Sequence, residues 1–367
     1  MMGSVRGGEA MRRGVLSVAL LVVVLGVECG RRDYITWDDL KVDSSWTDRD
    51  SHADWKQSSM RSSGSSLVIV VDQNGGGDSL TVQGAVDLVP DNNDERVKIL
   101  ILPGIYREKV HVLESKPYIS FIGSERNVSE TVISWHDKAG DKDINGREMG
   151  TTGSASVTVE SDYFCATGIT FENTVVAVPG GYNMQAVALR VAGDKAVFYK
   201  VQIIGTQDTL LDEAGAHYYY NSFIQGRVDF ICGNAKSLFK DCVLHSIAEG
   251  SGAIAAHHRN SPTEDTGFSF VNCLIDGKGK IFLGRAWGNY SRTIYSHCYI
   301  NDIITPSGWS DWNASDRQRT VDFGEYRCKG KGADRSGRAP WSKSFTYDAV
   351  KPFLDMNYIN GGNWLKL

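Results

Sequence analysis

Between residues 198 and 300 the chain writes one pattern five times: an aromatic residue, two residues, a small residue, one residue, then Ile or Leu. The copies are Phe198-Val201-Ile203, Tyr219-Ser222-Ile224, Phe239-Cys242-Leu244, Phe270-Cys273-Ile275 and Tyr295-Cys298-Ile300, with Phe164-Thr167-Ile169 as a looser first copy. The closest spacings, 21 and 20 residues, approach one coil of a solenoid, and the longer ones leave room for loops. A strand repeated once per coil stacks on its copy in the next, so like side chains form ladders inside long parallel sheets. The pattern predicts an all-β fold, a parallel β-helix. A β-sandwich, with alternating strands every 8–12 residues or so, would not return the same triplet at the same phase.

Elsewhere short β-rich runs, such as 97–102 and 156–160, alternate with Gly, Asn and Asp turns. Val82, Ala85, Val86 and Val89 are spaced for one short amphipathic helix over 81–88. Residues 1–30 read as a secretory signal peptide, with Arg12 and Arg13 ahead of an apolar run at 15–27. That run is shorter than the roughly 20 apolar residues of a membrane span. Residues 31–66 are polar and read as a flexible lead-in, and 67–367 as one domain. Export agrees with three N-x-[ST] acceptors for glycosylation, Asn127, Asn289 and Asn313. The formal net charge of −5 argues against a nucleic-acid partner. Residues 317–343 carry eight Lys/Arg against three Asp/Glu, which we read as a solvated face. Six cysteines follow Cys29. Cys242, Cys273 and Cys298 share one phase of the repeat and read as buried free thiols rather than disulfides.

Two aspartates stand out. Asp208, in Gly205-Thr-Gln-Asp-Thr-Leu210, and Asp229, in Gly226-Arg-Val-Asp-Phe-Ile231, lie 21 residues apart, one coil of the repeat. Adjacent coils then bring the two carboxyls together, which pushes their pKa values apart and suits acid/base or nucleophile-plus-acid work. A turn role is the bland alternative, but apolar and β-branched residues flank both. Gln185 and Gln207 are candidate oxyanion donors. Arg285 could hold a carboxylate in a bidentate pair, and Trp287 and Trp309 could stack on sugar rings. There is no Gly-x-Ser-x-Gly elbow, Walker loop or dinucleotide fingerprint. Adjacent His257 and His258 make a poor metal pair, and no ligand set at metal spacing is found, so neither a metal nor a cofactor is expected.

Five segments in order resemble the plant pectin methylesterases (pectinesterases): Gly104-Ile-Tyr-Arg-Glu-Lys109, Gln185-Ala-Val-Ala-Leu189, Gln207-Asp-Thr-Leu210, Asp229-Phe-Ile-Cys-Gly233 and Leu283-Gly-Arg-Ala-Trp287. The resemblance runs from about residue 67 to the C-terminus. It implies a right-handed parallel β-helix and a secreted, cell-wall enzyme that converts methyl-esterified pectin to pectate and methanol. Asp229 then resembles the nucleophile and Asp208 the acid and later base. Gln207 and Gln185 resemble anion-stabilising amides, Arg285 the partner of the nucleophile, and Trp287, Trp309 and, more loosely, Thr151 substrate contacts. The resemblance further implies no metal or organic cofactor, a monomer, no membrane contact, and a proteinaceous pectinesterase inhibitor as a potential partner. Cys232 stands where the family usually has Phe, and Ala286 where many members have Pro. An insertion at 175–184 is expected to reshape a rim of the cleft, and Cys232 to loosen a wall. With about 35 residues between signal and domain, the chain resembles the short form without an inhibitor-like pro-region. The competing readings are a polysaccharide lyase or glycosidase on the same fold, and a non-catalytic wall protein.

Overall fold

The computed structural model describes residues 33–43, 62–63, 66–178 and 180–367. The signal-peptide reading of 1–30 and most of the lead-in fall outside them. The repeat resolves into stacked parallel strands. One stack, twelve strands long, includes Val97–Ile101, Cys165–Thr167, Ala196–Tyr199, Ala216–Tyr220, Lys236–Lys240, Gly267–Val271, Arg292–Ser296 and Asp322–Tyr326. A second stack runs through Thr170–Asn173, Gln202–Ile204 and Phe223–Gly226. A third runs through Val157–Val159, Leu189–Val191, Leu210–Asp212 and Ile231–Gly233. Two long strands, Val243–His257 and Leu274–Ala286, belong to both stacks and join them into one sheet of fourteen strands. The chain is a right-handed parallel β-helix.

The triplets land in register. Phe198, Tyr219, Phe239, Phe270 and Tyr295 pair in sequence along the first stack. Their rings stack with centroids 4.8, 4.5, 4.7 and 4.6 Å apart. Each such pair contributes about 0.5–1.5 kcal/mol beyond the area it buries. Ile203, Ile224, Leu244, Ile275 and Ile300 form the matching ladder in the second stack. The looser first copy is out of phase. Ala166, not Phe164, pairs with Phe198, and Phe171, not Ile169, pairs with Ile203. Phe164 still points inward because a two-residue offset keeps a side chain on the same face. Cys242, Cys273 and Cys298 are buried free thiols, each with Sγ against backbone carbonyls, and Cys328 sits against Tyr295 O in the next coil.

The expected helix spans Val82–Leu88 and buries Val82, Ala85 and Val86. Thr81 caps it by accepting from Gly84 N, and the Glu108 carboxylate accepts from Val82 N and Gln83 N at 2.8 and 2.9 Å. This explains part of the Gly104–Lys109 motif: Tyr106 fills the core, and Glu108 closes the helix end. The lead-in is not wholly loose. Ile35–Thr36 pairs in parallel with Leu365–Lys366, and Ile35 and Leu40 are buried beside Trp364, because an apolar pair there covers the flank of the first stack. Among the described residues no helix is long and apolar enough to cross a membrane. In the basic segment, Arg335 and Arg338 both bind the buried Glu325, and Lys343 binds Asp322.

Candidate active site

Asp208 and Asp229 occupy equivalent turns, each between a strand of the second stack and one of the third. Gln207 bridges Val228, Asp208 N donates to Val228 O at 3.1 Å, and Leu210 pairs with Ile231. The two aspartates are therefore register neighbours on adjacent coils. Both take left-handed backbone conformations, with φ of 55° and 47°. Such a conformation costs a non-glycine residue energy, least so for Asp and Asn, and is kept where the surroundings over-determine it. Gly226 leaves room for this turn: a Cβ there would meet Phe230 Cβ at 2.1 Å.

Arg285 comes from Leu274–Ala286, two strands beyond Ile231–Gly233 in the third stack. Its Nε donates to Asp229 Oδ1 at 2.7 Å while Nη2 donates to Oδ2, a bidentate pair. Asp229 is 5% exposed. Burial pushes the Asp229 carboxyl up, and the Arg285 hydrogen bonds and charge lower it by only part of that rise. Asp208 lies well above the carboxylate range, first through burial and then through the Asp229 charge beside it. Of the two, Asp208 lies further up, so a shared proton favours Asp208 and the charge favours Asp229 beside its guanidinium.

Around the pair, Leu211, Cys232 and Ala256 follow one another in register across the third stack. With Ala155 and Val187 they form an apolar patch covered by Trp287 and Trp312. Cys232 is thus enclosed rather than a gap in the wall. Its thiol is held well above its usual range by burial and by the neighbouring aspartates, which removes it as a competing nucleophile. Trp287 packs against His258 at 4.2 Å between ring centroids, whereas buried His257 points the other way, its pKa pushed down to about 3 by burial. Ala286 is core.

Trp309 requires a correction. It is 2% exposed and stacks on Phe323 at 4.8 Å inside the solenoid, its indole N–H without an acceptor. It cannot present a ring to a sugar. The ring at the surface is Trp312, with the Arg285 guanidinium 4.0 Å from its centroid. Sequence reasoning passed over it, although it lies only three residues on in Gly308-Trp-Ser-Asp-Trp312. Thr151 is half-buried in the one-turn helix Gly150–Gly153. That turn is tied to Gln185 through Ala139, which donates to Gln185 O and accepts from Gly150 N. Gln185 Oε1 is buried without a partner, and Ala186 N donates to Gln207 O, so Gln207 lies on the adjacent coil opposite the residue that follows Gln185. The 175–184 insertion is anchored to the aspartate turns themselves: Thr206 Oγ1 donates to Val175 O at 2.8 Å and Arg227 Nη1 to Ala177 O at 3.1 Å. Among the described residues no group of three or more His, Cys, Asp or Glu is placed to hold a metal.

The site thus places paired carboxyls of unequal proton affinity, one clamped by an arginine, at one turn of a parallel β-helix. The pectinesterase family profile matches residues 68–362. The chain is 61% identical to pectinesterase QRT1 of Arabidopsis thaliana, covering 92% of this chain and 91% of that one. It is 40% identical to putative pectinesterase 11 of the same plant, covering 82% and 81%. Among solved structures, the pectin methylesterase from carrot superposes with a TM-score of 0.74 at 34% identity, covering 81% of this chain and 94% of that one. The enzyme from Aspergillus niger gives 0.69 at 27%, covering 84% and 98%. The chain belongs to the pectinesterase family, and its activity is the de-esterification of pectin. Nothing in these comparisons supports a lyase or glycosidase.

Proposed function

We propose that the chain is a secreted, cell-wall aspartyl esterase in which Asp229 attacks the C6 carbonyl of a methyl-esterified galacturonosyl residue. The supporting observation is the register pairing of Asp208 with Asp229 under the bidentate clamp of Arg285. The tetrahedral oxyanion takes hydrogen bonds from the side-chain amides of Gln207 and Gln185, which donate without adding a competing charge. As it collapses, the C–O bond to methoxide breaks and the Asp208 proton passes to it, releasing methanol and leaving an acyl anhydride on Asp229. Asp208, now anionic, takes a proton from water, whose oxygen attacks the acyl carbonyl. Free galacturonate leaves, and both carboxyls return to their starting states. Trp287 and Trp312 bound the sugar subsite, with Thr151 on the opposite rim, and Trp309 supports the site from within. No metal enters any step. Asn127, Asn289 and Asn313 are all exposed, as glycan acceptors must be. The enzyme acts as a monomer, and a proteinaceous inhibitor would engage the same cleft. The test is methanol release from highly methylated pectin by the mature chain and its Asp229→Ala variant. Loss of several orders of magnitude in a variant that still folds is expected. Retention of more than about a tenth of the rate would remove Asp229 from the nucleophile's role.

A further inference from the structure

The segment that follows the inward-facing Trp309 doubles back over Arg285. Ser310 pairs with Arg285 in register, and two residues later the Trp312 ring lies with the guanidinium 4.0 Å from its centroid. The backbone takes an unfavourable course to do this. Trp312 and Asn313 both hold left-handed conformations, with φ of 59° and 58°, and among the described residues they are the one pair of successive non-glycine residues that do. Such a conformation is costly for any residue with a Cβ; Asn tolerates it best, and a side chain as bulky as Trp is uncommon there.

The turn is secured from both ends. At its root Trp309 is buried against Phe323. Ser310 Oγ accepts from Trp312 N at 3.3 Å, Asp311 Oδ1 from Asn313 N at 3.0 Å, and Asp311 O from Ala314 N at 3.1 Å. The second carboxylate oxygen of Asp311 accepts from Gln318 Nε2 at 2.7 Å. Strain held in place by its surroundings points to a task for the strained residue. The contact itself says what that task is. The Arg285 side chain is 29% exposed, so Asp229 does not by itself immobilise it against water. A guanidinium laid on an aromatic face is attracted by the ring, more strongly where water is kept away, and its plane is then fixed. The carboxylate of Asp229 is fixed with it, because Nε and Nη2 donate to its two oxygens.

We infer that Trp312 is a positioning residue for the de-esterification. Its ring holds the Arg285 guanidinium, and through it the Asp229 carboxylate, in the attacking orientation, and the strained turn secured by Asp311 keeps the ring there. The inference rests on the esterase reading above, and the role is separate from any contact the ring makes with a sugar.

The experiment is a double-mutant cycle on the full mature enzyme, with kcat and KM read from methanol release on highly methylated pectin and a melting temperature beside each rate. Trp312→Leu is expected to lower kcat about 3- to 30-fold. Trp312→Phe keeps an aromatic face and should stay within about 3-fold of wild type. Asp311→Ala frees the turn and should lower kcat in the same direction by less. In an Arg285→Gln background there is no cation for the ring to hold, and Trp312→Leu should change kcat by less than about 2-fold. A ring that only binds sugar would raise KM, leave kcat in place and act equally in both backgrounds, and that result would overturn the inference. A kcat loss of the same size with and without the Arg285 guanidinium would overturn it too. If Trp312→Leu does not fold, Asp311→Ala in the two backgrounds decides, and Arg285→Lys replaces an unfolded Arg285→Gln. Absence of methanol release from every substrate by the wild type would instead refute the esterase reading.

Discussion

Removing the Arg285 guanidinium should move the pH profile in a direction that the pair geometry dictates. In the wild type, Arg285 holds both oxygens of Asp229, and the carboxylate is buried. Opposite charges about 4 Å apart interact by about 4 kcal/mol at an effective dielectric of 20, equivalent to about 3 pH units at 1.36 kcal/mol each. The Arg285 side chain is 29% exposed, and solvent screens part of this, so about 1–2 units is the working figure. Without the guanidinium, burial alone acts on Asp229 and its pKa rises further. The anionic nucleophile is then present only at higher pH. In Arg285→Gln the acidic limb of kcat/KM should therefore shift upward by about 1–2 pH units, with activity at the original optimum falling by about 10- to 100-fold. Arg285→Lys keeps the charge but loses the fork, and should shift the limb less. Breaking a buried pair can cost about 3–5 kcal/mol of stability, so melting temperatures accompany the rates and the Lys variant covers an unfolded Gln variant. An acidic limb that stays in place while the rate falls equally at all pH values would show that Arg285 does not set the state of Asp229.

Asp208→Asn removes the proton donor while keeping the shape, and should lower kcat about 100- to 10,000-fold and abolish any alkaline limb that reports Asp208; an unchanged alkaline limb would assign it to another group. Inside the coil that carries Asp208, buried Asp212 accepts from His217 Nδ1, Tyr219 OH and Ser237, while His217 Nε2 faces Gly193 O at 2.7 Å. Burial works to lower the His217 pKa, but the Asp212 charge and these bonds outweigh it and the net shift is upward. That stabilisation is complete below the unfolded value near 6.5 and fades as pH rises through the higher folded value. Urea midpoints should thus fall across that window in wild type and stay flatter in His217→Gln, and equal slopes would contradict the buried imidazolium. Methanol release from a small soluble ester should survive EDTA at constant ionic strength, and a loss restored by one divalent ion would reveal a metal requirement.

A solenoid makes its long-range contacts unusually legible, because one coil length converts sequence separation into adjacency. The 21-residue offset therefore placed Asp208 beside Asp229, and the aromatic triplets marked which residues stack from Phe198 to Tyr295. The helix at Val82–Leu88 was legible for a local reason, its 3.6-residue periodicity. Phase and depth were not written so plainly. Phe164 matched the pattern, yet the coil before Phe198 runs two residues out of step, and two-residue shifts leave inward and outward faces unchanged. Trp309 and Trp312 look interchangeable in the chain. Only the pairing of Gly284 with Trp309, where a glycine leaves room for the indole 3.0 Å from its Cβ position, turned one inward and set the other over Arg285. The upward shift of Asp229 likewise depended on burial, a property of every coil packed around it rather than of its neighbours in sequence. Spacing by itself determined that Asp208 meets Asp229 and that the aromatics from Phe198 to Tyr295 stack; the tertiary structure decided which way each side chain faces, which others join it and how dry its surroundings are, because these depend on side chains arriving from coils 20 or more residues away.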